Sequence, residues 1–324
     1  MAPLRILLCG DVLGRLNQLF KRVSSVNKSA GPFDALFCVG QFFPDSIEGL
    51  EEFHGYIEGS SKIPIPTYFI GDYGVGSPKI LSAVLKDPSN QGFKMEGFRV
   101  CDNLFWLKGS GKFELHGLSV AYLSGRRSPT GAQFGTYSQD DVDALRALAE
   151  DPGTVDIFLT NEWPSGVTNG VTSNVPSEIS DSSGSDPTVS ELVAEIKPRY
   201  HVAGTMGAYF DRQPYANVDA LHVTRFLGLA PVGNKDKQVV PIPLSRASLV
   251  QDIFNLAAEK LGFKFTIIKE GRQALRTQFD RSCSLFYVEV PGGGILSHVV
   301  EENEKFPAQF GREVRSLYIP DKGG

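Results

Sequence analysis

Over roughly the first 200 residues, short apolar runs alternate with longer amphipathic or polar stretches, the pattern of an α/β domain with a buried sheet. Residues 5–9, 35–39, 67–70, 104–107, 118–123, 156–160 and 200–203 read as strands. Several of them run into a polar or glycine turn: Gly10-Asp11, Gly40-Gln41, Gly71-Asp72, Thr160-Asn161 and Gly204-Thr205. Turns at the carboxyl ends of strands line the ligand crevice of open α/β sheets, so chemistry is expected there. Between the strands, Leu16, Leu19, Phe20 and Val23 recur at helical spacing within 16–27. Ser138-Gln139-Asp140-Asp141 reads as a cap before Val142, Leu145 and Leu148.

Residues 165–189 are rich in Ser, Thr, Asn, Gly and Pro without any apolar period, and read as a mobile surface loop. A short helix over 190–196 follows, broken at Pro198. The polar stretch Gly233-Asn234-Lys235-Asp236-Lys237 then precedes an extended entry, Val239-Val240-Pro241-Ile242-Pro243, and predicts a division into domains 1–237 and 238–324. Two domains are also the expectation for 324 residues. In the tail, Ser248-Leu249-Val250-Gln251 reads as a capping box for a helix with Leu249, Ile253, Leu256 and Ala257 on one face, stopped by Gly262. Strands over 263–268, 284–290 and 295–300 and a short helix over 307–313 complete a compact α+β unit, close to the size at which a lone core is marginal.

With 41% hydrophobic and 21% charged residues, the chain can bury a sizeable core, which argues against global disorder and against collagen-like or coiled-coil architecture. No apolar run approaches the roughly eighteen residues of a spanning helix, so no membrane partner is expected. Met1-Ala2-Pro3-Leu4-Arg5 leads straight into the first strand and does not read as a signal peptide. Cys9, Cys38, Cys101 and Cys283 lie far apart with no CxxC pair, which fits a reducing compartment. The net charge is −5, with 21 basic against 27 acidic residues in 1–237 and 11 against 10 in 238–324. Neither part has the basic surplus that drives nonspecific nucleic-acid binding.

Hydrolytic centres in α/β proteins hold two cations about 3.5–4 Å apart with carboxylates, His and Asn converging from several strand ends. Here those turns carry few such ligands. Asp11 supplies one carboxylate, but Leu13 stands where an Asp-x-His pair needs its imidazole. Gln41 offers a neutral amide in place of a bridging carboxylate, and Asp72 is not followed by an Asn-His pair. His54, His116, His201, His222 and His298 are too widely spaced for a His-x-His or His-x-x-x-His pair. A structural role as helix N-cap or turn residue is the alternative for Asp11. Gly74-Val75-Gly76 lacks the third glycine of a dinucleotide loop, and no GKS, GKT or Gly-x-Ser-x-Gly motif occurs. Gly292-Gly293-Gly294 reads as a hairpin connection, Arg126-Arg127 as solvated charge, with contact to phosphate as the alternative, and Trp106 and Trp163 as core.

Particular words along the chain carry a resemblance. Arg5-Ile6-Leu7-Leu8-Cys9-Gly10-Asp11, Asp34-Ala35-Leu36-Phe37-Cys38-Val39-Gly40, Pro66-Thr67-Tyr68-Phe69-Ile70-Gly71, Thr160-Asn161-Glu162-Trp163-Pro164 and Pro198-Arg199-Tyr200 resemble the metallophosphoesterase-like domain of the CwfJ family, splicing-associated relatives of the lariat debranching enzyme. In that enzyme the turns read like Gly-Asp-Phe, Gly-Gly-Asn-His-Glu, Ser-His-Asp-Trp-Pro and Ala-His-Leu-His. Here they are Gly40-Gln41-Phe42, Gly71-Asp72-Tyr73, Thr160-Asn161-Glu162-Trp163-Pro164 and Gly204-Thr205-Met206-Gly207. His222-Val223-Thr224-Arg225-Phe226-Leu227-Gly228 is similar to the stretch that closes this domain, and Phe286-Tyr287-Val288-Glu289-Val290 and Phe310-Gly311-Arg312-Glu313-Val314 to the family's second C-terminal domain. The family's first C-terminal domain, resembling the histidine-triad fold with its His-x-His-x-His run, has no counterpart between Lys237 and Val239, nor does the Cys/His zinc finger of plant-type members. That departure is read as an internal deletion.

The resemblance implies a degenerate calcineurin-like metallophosphoesterase sandwich followed by a small α+β C-terminal domain, with no catalytic residues, no metal and no cofactor. It implies a nuclear, non-catalytic adaptor in pre-mRNA splicing, acting at late or post-release spliceosomes and promoting intron lariat debranching. Asp11, Gln41, Asp72, Asn161 and Thr205 mark the vestigial site. The implied partners are the lariat debranching enzyme and spliceosomal proteins, with branched intron RNA as a further ligand. Two alternatives stay open: a weak metal-dependent phosphodiesterase acting on RNA through Asp11, Asp72 and Asn161, and a protein-interaction module without RNA contact.

Overall fold

The computed structural model describes residues 5–92, 96–128, 134–150, 153–171, 175–176, 179, 185–218, 220 and 222–234, and the backbone of five later strands. The chain divides into two compact units, Met1–Ser245 and Arg246–Gly324.

The first unit opens with β1 (Arg5–Cys9), β2 (Ala35–Gln41), β3 (Thr67–Gly71), β4 (Phe98–Cys101) and β5 (Leu104–Trp106). β1, β2, β3 and β5 run parallel in that order, and β4 closes one edge antiparallel to β5. Parallel strands buried on both faces read as continuous apolar runs, which is why 5–9, 35–39 and 67–70 are so plain in the sequence. Alternation then assigns the faces. Leu7 and Cys9 pack with Leu16, Leu19, Phe20 and Val23 of α1 (Leu16–Ala30), while Ile6 and Leu8, equally buried, point to the opposite side. Phe42 and Phe43, just after β2, stack on Phe69 and Phe53 at ring separations of 4.1 and 4.9 Å. Phe53 belongs to α2 (Glu51–Ile57), a helix too short to show a period in sequence. α3 (Ser77–Lys86) follows, with Pro78 in its first turn where a missing N–H costs nothing.

The second sheet is built from β6 (Ser110–Leu115), β7 (Leu118–Leu123), β10 (Ile157–Thr160), β13 (Tyr200–Ala203) and β16 (Val223–Gly228), with β14 (Phe210–Asp211) and β15 (Tyr215–Ala216) pairing to β16. β7, β10, β13 and β16 are parallel neighbours; β6, β14 and β15 are antiparallel. Two short ladders join β8 (Arg126–Arg127) to β9 (Thr136–Tyr137) and β11 (Trp163–Pro164) to β12 (Ser185–Asp186). α4 (Gln139–Ala149) and α5 (Pro187–Ile196) cover one face, packing Val142, Leu145, Val189 and Leu192 on Ala121, Leu123 and Phe158. On the other face Phe113 of β6 meets Tyr68 of β3, ring centroids 5.8 Å apart, so the two sheets pack on each other with helices outside both. The unit is an α/β fold with mixed sheets.

The capping box expected at Ser138 is present: its hydroxyl accepts the Asp141 N–H, and the Asp141 carboxylate accepts the Ser138 N–H. Other boundaries differ from the sequence reading. α5 starts at Pro187, capped by the Asp186 carboxylate on the Thr188 N–H, so the helix reaches into the stretch read as loop; Val167 and Ile179 of that stretch are buried. The expected break after Lys237 moves to Ser245, because β17 (Val240–Pro243) pairs antiparallel with β1 and completes the first sheet. In the second unit, β18 (Phe265–Glu270), β19 (Ala274–Phe279), β20 (Phe286–Glu289) and β21 (Leu296–His298) form an antiparallel meander. The helices expected over 248–261 and 307–313 lie outside the described residues.

Where β2 and β3 end, the backbones touch. A Cβ on Gly71 would stand 1.8 Å from the Gly40 carbonyl oxygen, a contact no rotamer relieves. Gly71→Ala is expected to lower stability by about 3 kcal/mol or more, read as a drop in the guanidinium midpoint at unchanged m-value.

Candidate functional site

The turns at the carboxyl ends of both sheets converge, and Asn161 joins them. It is fully buried at the end of β10, and both ends of its carboxamide are engaged. Its Oδ1 accepts the Gly125 N–H at 2.6 Å, and its Nδ2 donates to the Val39 carbonyl at 2.8 Å and the Gly40 carbonyl at 3.4 Å. Its own carbonyl accepts the Gly204 N–H at 3.2 Å and the Thr205 hydroxyl at 2.8 Å. One residue thus ties the end of β2 and the turns after β7 and β13 to its own strand.

Asp11 lies beside this junction. Its carboxylate accepts the Gln41 N–H at 2.7 Å and the backbone N–H of Thr205. In return the Gln41 carbonyl accepts the N–H groups of Val12 and Leu13 at 2.8 and 3.1 Å. The close approach depends on a shift of the β2–β3 register between Cys38 and Gln41 and on the absence of a side chain at residue 40: a Cβ on Gly40 would stand 2.2 Å from Asp11 Oδ1. Leu13 and Thr205 both adopt left-handed backbone, φ 52° and 66°, so local strain gathers at these turns. Asp11 caps a turn, not a helix; the N-cap of α1 is Arg15, which makes no side-chain cap.

Asp72 accepts the Gly135 N–H at 3.0 Å. Burial raises its pKa to about 6, outweighing the Gly135 amide, Lys108 and the Ser124 hydroxyl. Burial likewise lifts Asp11 above the usual carboxylate range against the amides of Gln41 and Thr205 and the charge of Arg126. Tyr73 stands among these acids. Its hydroxyl is buried without a hydrogen-bond partner among the described residues, and burial, with Asp11, Glu162 and Asp72 adding, pushes it upward. The exposed Arg126 lays its guanidinium over the Tyr73 ring, 3.8 Å from the centroid. Glu162 accepts the Arg127 N–H at 2.9 Å and is raised by burial.

Of the five residues marked in the sequence, Asp11, Asn161 and Thr205 share one hydrogen-bonded junction. Gln41 joins it through its backbone alone, its side-chain amide turning away to the Phe43 carbonyl at 2.9 Å and the Asp45 carboxylate at 2.6 Å. Asp72 is coupled to the group electrostatically, through Tyr73. The sequence reading missed Tyr73, and it took the exposed Arg126 as solvated charge without its place over that ring. The only signal for Tyr73 was its position directly after the Gly71-Asp72 turn. His201 lies elsewhere: fully buried, Nε2 2.9 Å from the Thr160 hydroxyl, against Phe158 and Phe226, with burial lowering its pKa to about 3.

This donor set does not fit a two-metal centre. Among the described residues no three His, Cys, Asp or Glu side chains converge to hold an ion. The carboxylates of Asp11 and Asp72 already hold backbone amides, and the carboxamides of Asn161 and Gln41 are engaged with the protein.

The fold and junction define a two-sheet α/β protein whose strand-end turns are bound to one another by side-chain-to-backbone hydrogen bonds. No family model matches the chain. It is 69% identical over 254 residues, 76% of its length, to zinc finger CCCH domain-containing protein 64 of Arabidopsis thaliana. It is 34% identical over 307 residues, 88% of its length, to human CWF19-like protein 1, and 36% identical over 248 residues to the mouse protein of that name. The chain belongs to the CwfJ-like family. It spans about half the length of the curated relatives it matches: 42% of the Arabidopsis protein, 43% of the mouse protein and 54% of the human one. A solved crystal structure aligns over 75% of the chain and 95% of its own length with a TM-score of 0.50 at 13% identity, a likeness of fold alone.

Removing the Asn161 carboxamide takes from the buried Gly125 N–H and the Val39 carbonyl the partner it supplies. Asn161→Ala is therefore expected to cost about 3 kcal/mol in a denaturant titration. Asp72 gives a pH signature. Its folded pKa of about 6 lies above the unfolded value, so the folded state holds the extra proton, and stability from this group is present at low pH and lost as pH rises towards about 6. His201, lowered by burial, acts with opposite sign over an overlapping range, so the comparison must be with a variant. Between pH 4 and 7, the stability of wild type relative to Asp72→Asn is expected to fall by about 2–3 kcal/mol, measured by denaturation across that range.

Proposed function

We propose that the chain is a non-catalytic adaptor in nuclear pre-mRNA splicing, built on a degenerate calcineurin-like metallophosphoesterase sandwich. It acts at late or post-release spliceosomes and promotes debranching of intron lariats. Family membership supports the splicing role. The observation that carries the non-catalytic reading is the engagement of the strand-end side chains: Asp11, Asp72 and Asn161, the groups a phosphoesterase would direct at metal, hold backbone N–H and C=O groups of neighbouring turns. The junction keeps the crevice in shape as a binding surface, with Arg126 as its exposed cation. Its partners are the lariat debranching enzyme and spliceosomal proteins, with branched intron RNA as a further ligand. A net charge of −5 favours protein contacts over RNA contacts as the main source of affinity.

The test is to immobilise the purified chain, expose it to nuclear extract and score bound debranching enzyme and intron lariats with and without nuclease. Debranching enzyme retained after nuclease supports the adaptor reading; loss of both ligands overturns it. In parallel, no hydrolysis of a phosphodiester is expected with Mn²⁺, Zn²⁺ or Mg²⁺. Metal-dependent turnover abolished by Asp11→Ala would replace the adaptor with a weak phosphodiesterase.

A further inference from the structure

The exposed face of α1 carries positive charge and no negative charge. Between Asp11 and Asp34 the chain holds Arg15, Lys21, Arg22 and Lys28 and no Asp or Glu, within a protein of net charge −5. Leu16, Leu19, Phe20 and Val23 turn inward against Leu7 and Cys9 of β1. Helical geometry then puts Arg15, Gln18, Lys21, Arg22, Ser25 and Lys28 together on the outer side, where all six are exposed. From Arg15 to Lys28 the stripe runs about 20 Å. The balance of 21 basic against 27 acidic residues over 1–237 averages this local surplus away.

Among the described residues none of these four cations makes an ion pair, whereas Arg146 of α4 is met by Asp143, Glu191 and Glu195. Glu52 of α2 meets α1 at one edge, where it accepts the Asn17 N–H at 2.8 Å. Lys28 lies in the last turn and is favoured there by the helix dipole, but Lys21 and Arg22 lie mid-helix and gain nothing from it. Arg15 donates to the Val232 carbonyl at 2.5 Å, and the Val232 N–H donates to the Asp11 carbonyl at 2.8 Å, so the stripe begins beside the strand-end turns. The exposed positions of α1 carry no aromatic or large aliphatic side chain of the kind that anchors a protein–protein interface. Arg, Lys, Gln and Ser are instead the side chains that hold phosphate oxygens. With no ring to stack on a base, such a face grips a backbone without reading sequence.

We propose that the outer face of α1 is a docking surface for the phosphate backbone of RNA. The choice of RNA among polyanions rests on the splicing role proposed above; the requirement for a polyanion rests on the helix alone. Fluorescence anisotropy of a labelled oligouridylate of about twenty nucleotides, titrated with the purified full chain from about 50 to 200 mM KCl, tests it. Affinity should fall with salt along a log–log slope of about −2 to −3, the value for three or four phosphates on a single strand. Lys21→Glu combined with Arg22→Glu should weaken binding about tenfold or more and flatten that slope by about 1 to 1.5. Lys79→Glu combined with Lys86→Glu, on α3, changes the net charge equally and should leave the affinity within about threefold, because distant charges are screened. All four positions are exposed, and unchanged melting temperatures would show that the variants fold. Absence of binding at the lowest salt overturns the proposal, as do equal losses in the two double variants. Tighter binding of oligothymidylate, or of poly-glutamate of the same length, overturns the assignment to RNA, the second in favour of an acidic protein segment. Retention of debranching enzyme after nuclease reads a protein contact, so the adaptor reading and this one can fail separately.

Discussion

Four strand ends, those of β2, β7, β10 and β13, meet where one carboxamide, that of Asn161, satisfies the backbone groups buried with it. Where two sheets come together at the ends of their strands, N–H and C=O groups leave their ladders and must find partners away from water. Asn161 serves Gly125, Val39 and Gly40 with its side chain and Gly204 and Thr205 with its carbonyl. Asn suits the place because it is donor and acceptor in one planar group; a carboxylate could only accept, and a leucine could do neither. The glycine contacts at 40 and 71 follow from this junction, since the turns it gathers leave no room for Cβ atoms.

The same crowding explains the electrostatics. Asp11 and Asp72 sit deep enough for burial to dominate their titration, yet each accepts turn amides that keep the charged form tolerable. Arg126 is the countercharge at the surface side of the group, and its stacking on Tyr73 holds it near Asp11 without a direct ion pair in the core. Oxygen lone pairs turned toward backbone amides are not free to face a cation. Each amide that Asp11 and Asp72 accept draws on these oxygens for the support of a turn.

Much of the fold was legible because its parallel strands are buried on both sides, so that the segments around Leu7, Phe37, Phe69, Phe158 and Val202 stand out as unbroken apolar runs. The cap at Ser138 was legible because a capping box is local. α2 was not: Phe53 and Tyr56 form its buried face only because Phe42, Phe43 and Phe20 arrive from elsewhere in the chain. β4 has a half-exposed edge without clear alternation, and β16 follows a polar turn that hid its start. At the junction, strand ends located Asp11, Asn161 and Thr205, but sequence cannot show where a side chain points. Gln41 turns outward to Asp45, and Arg126, read as solvated charge, lies across Tyr73.

One long-range pairing has a consequence for synthesis. The outer neighbour of β1 is β17, residues 240–243, which is made long after it. Until the ribosome has released that segment, the nascent sheet shows an unpaired apolar edge, the kind of edge that recruits strands from other chains. Completion of the first unit therefore waits until almost all of its core has been made, and the edge of β1 is exposed throughout that interval.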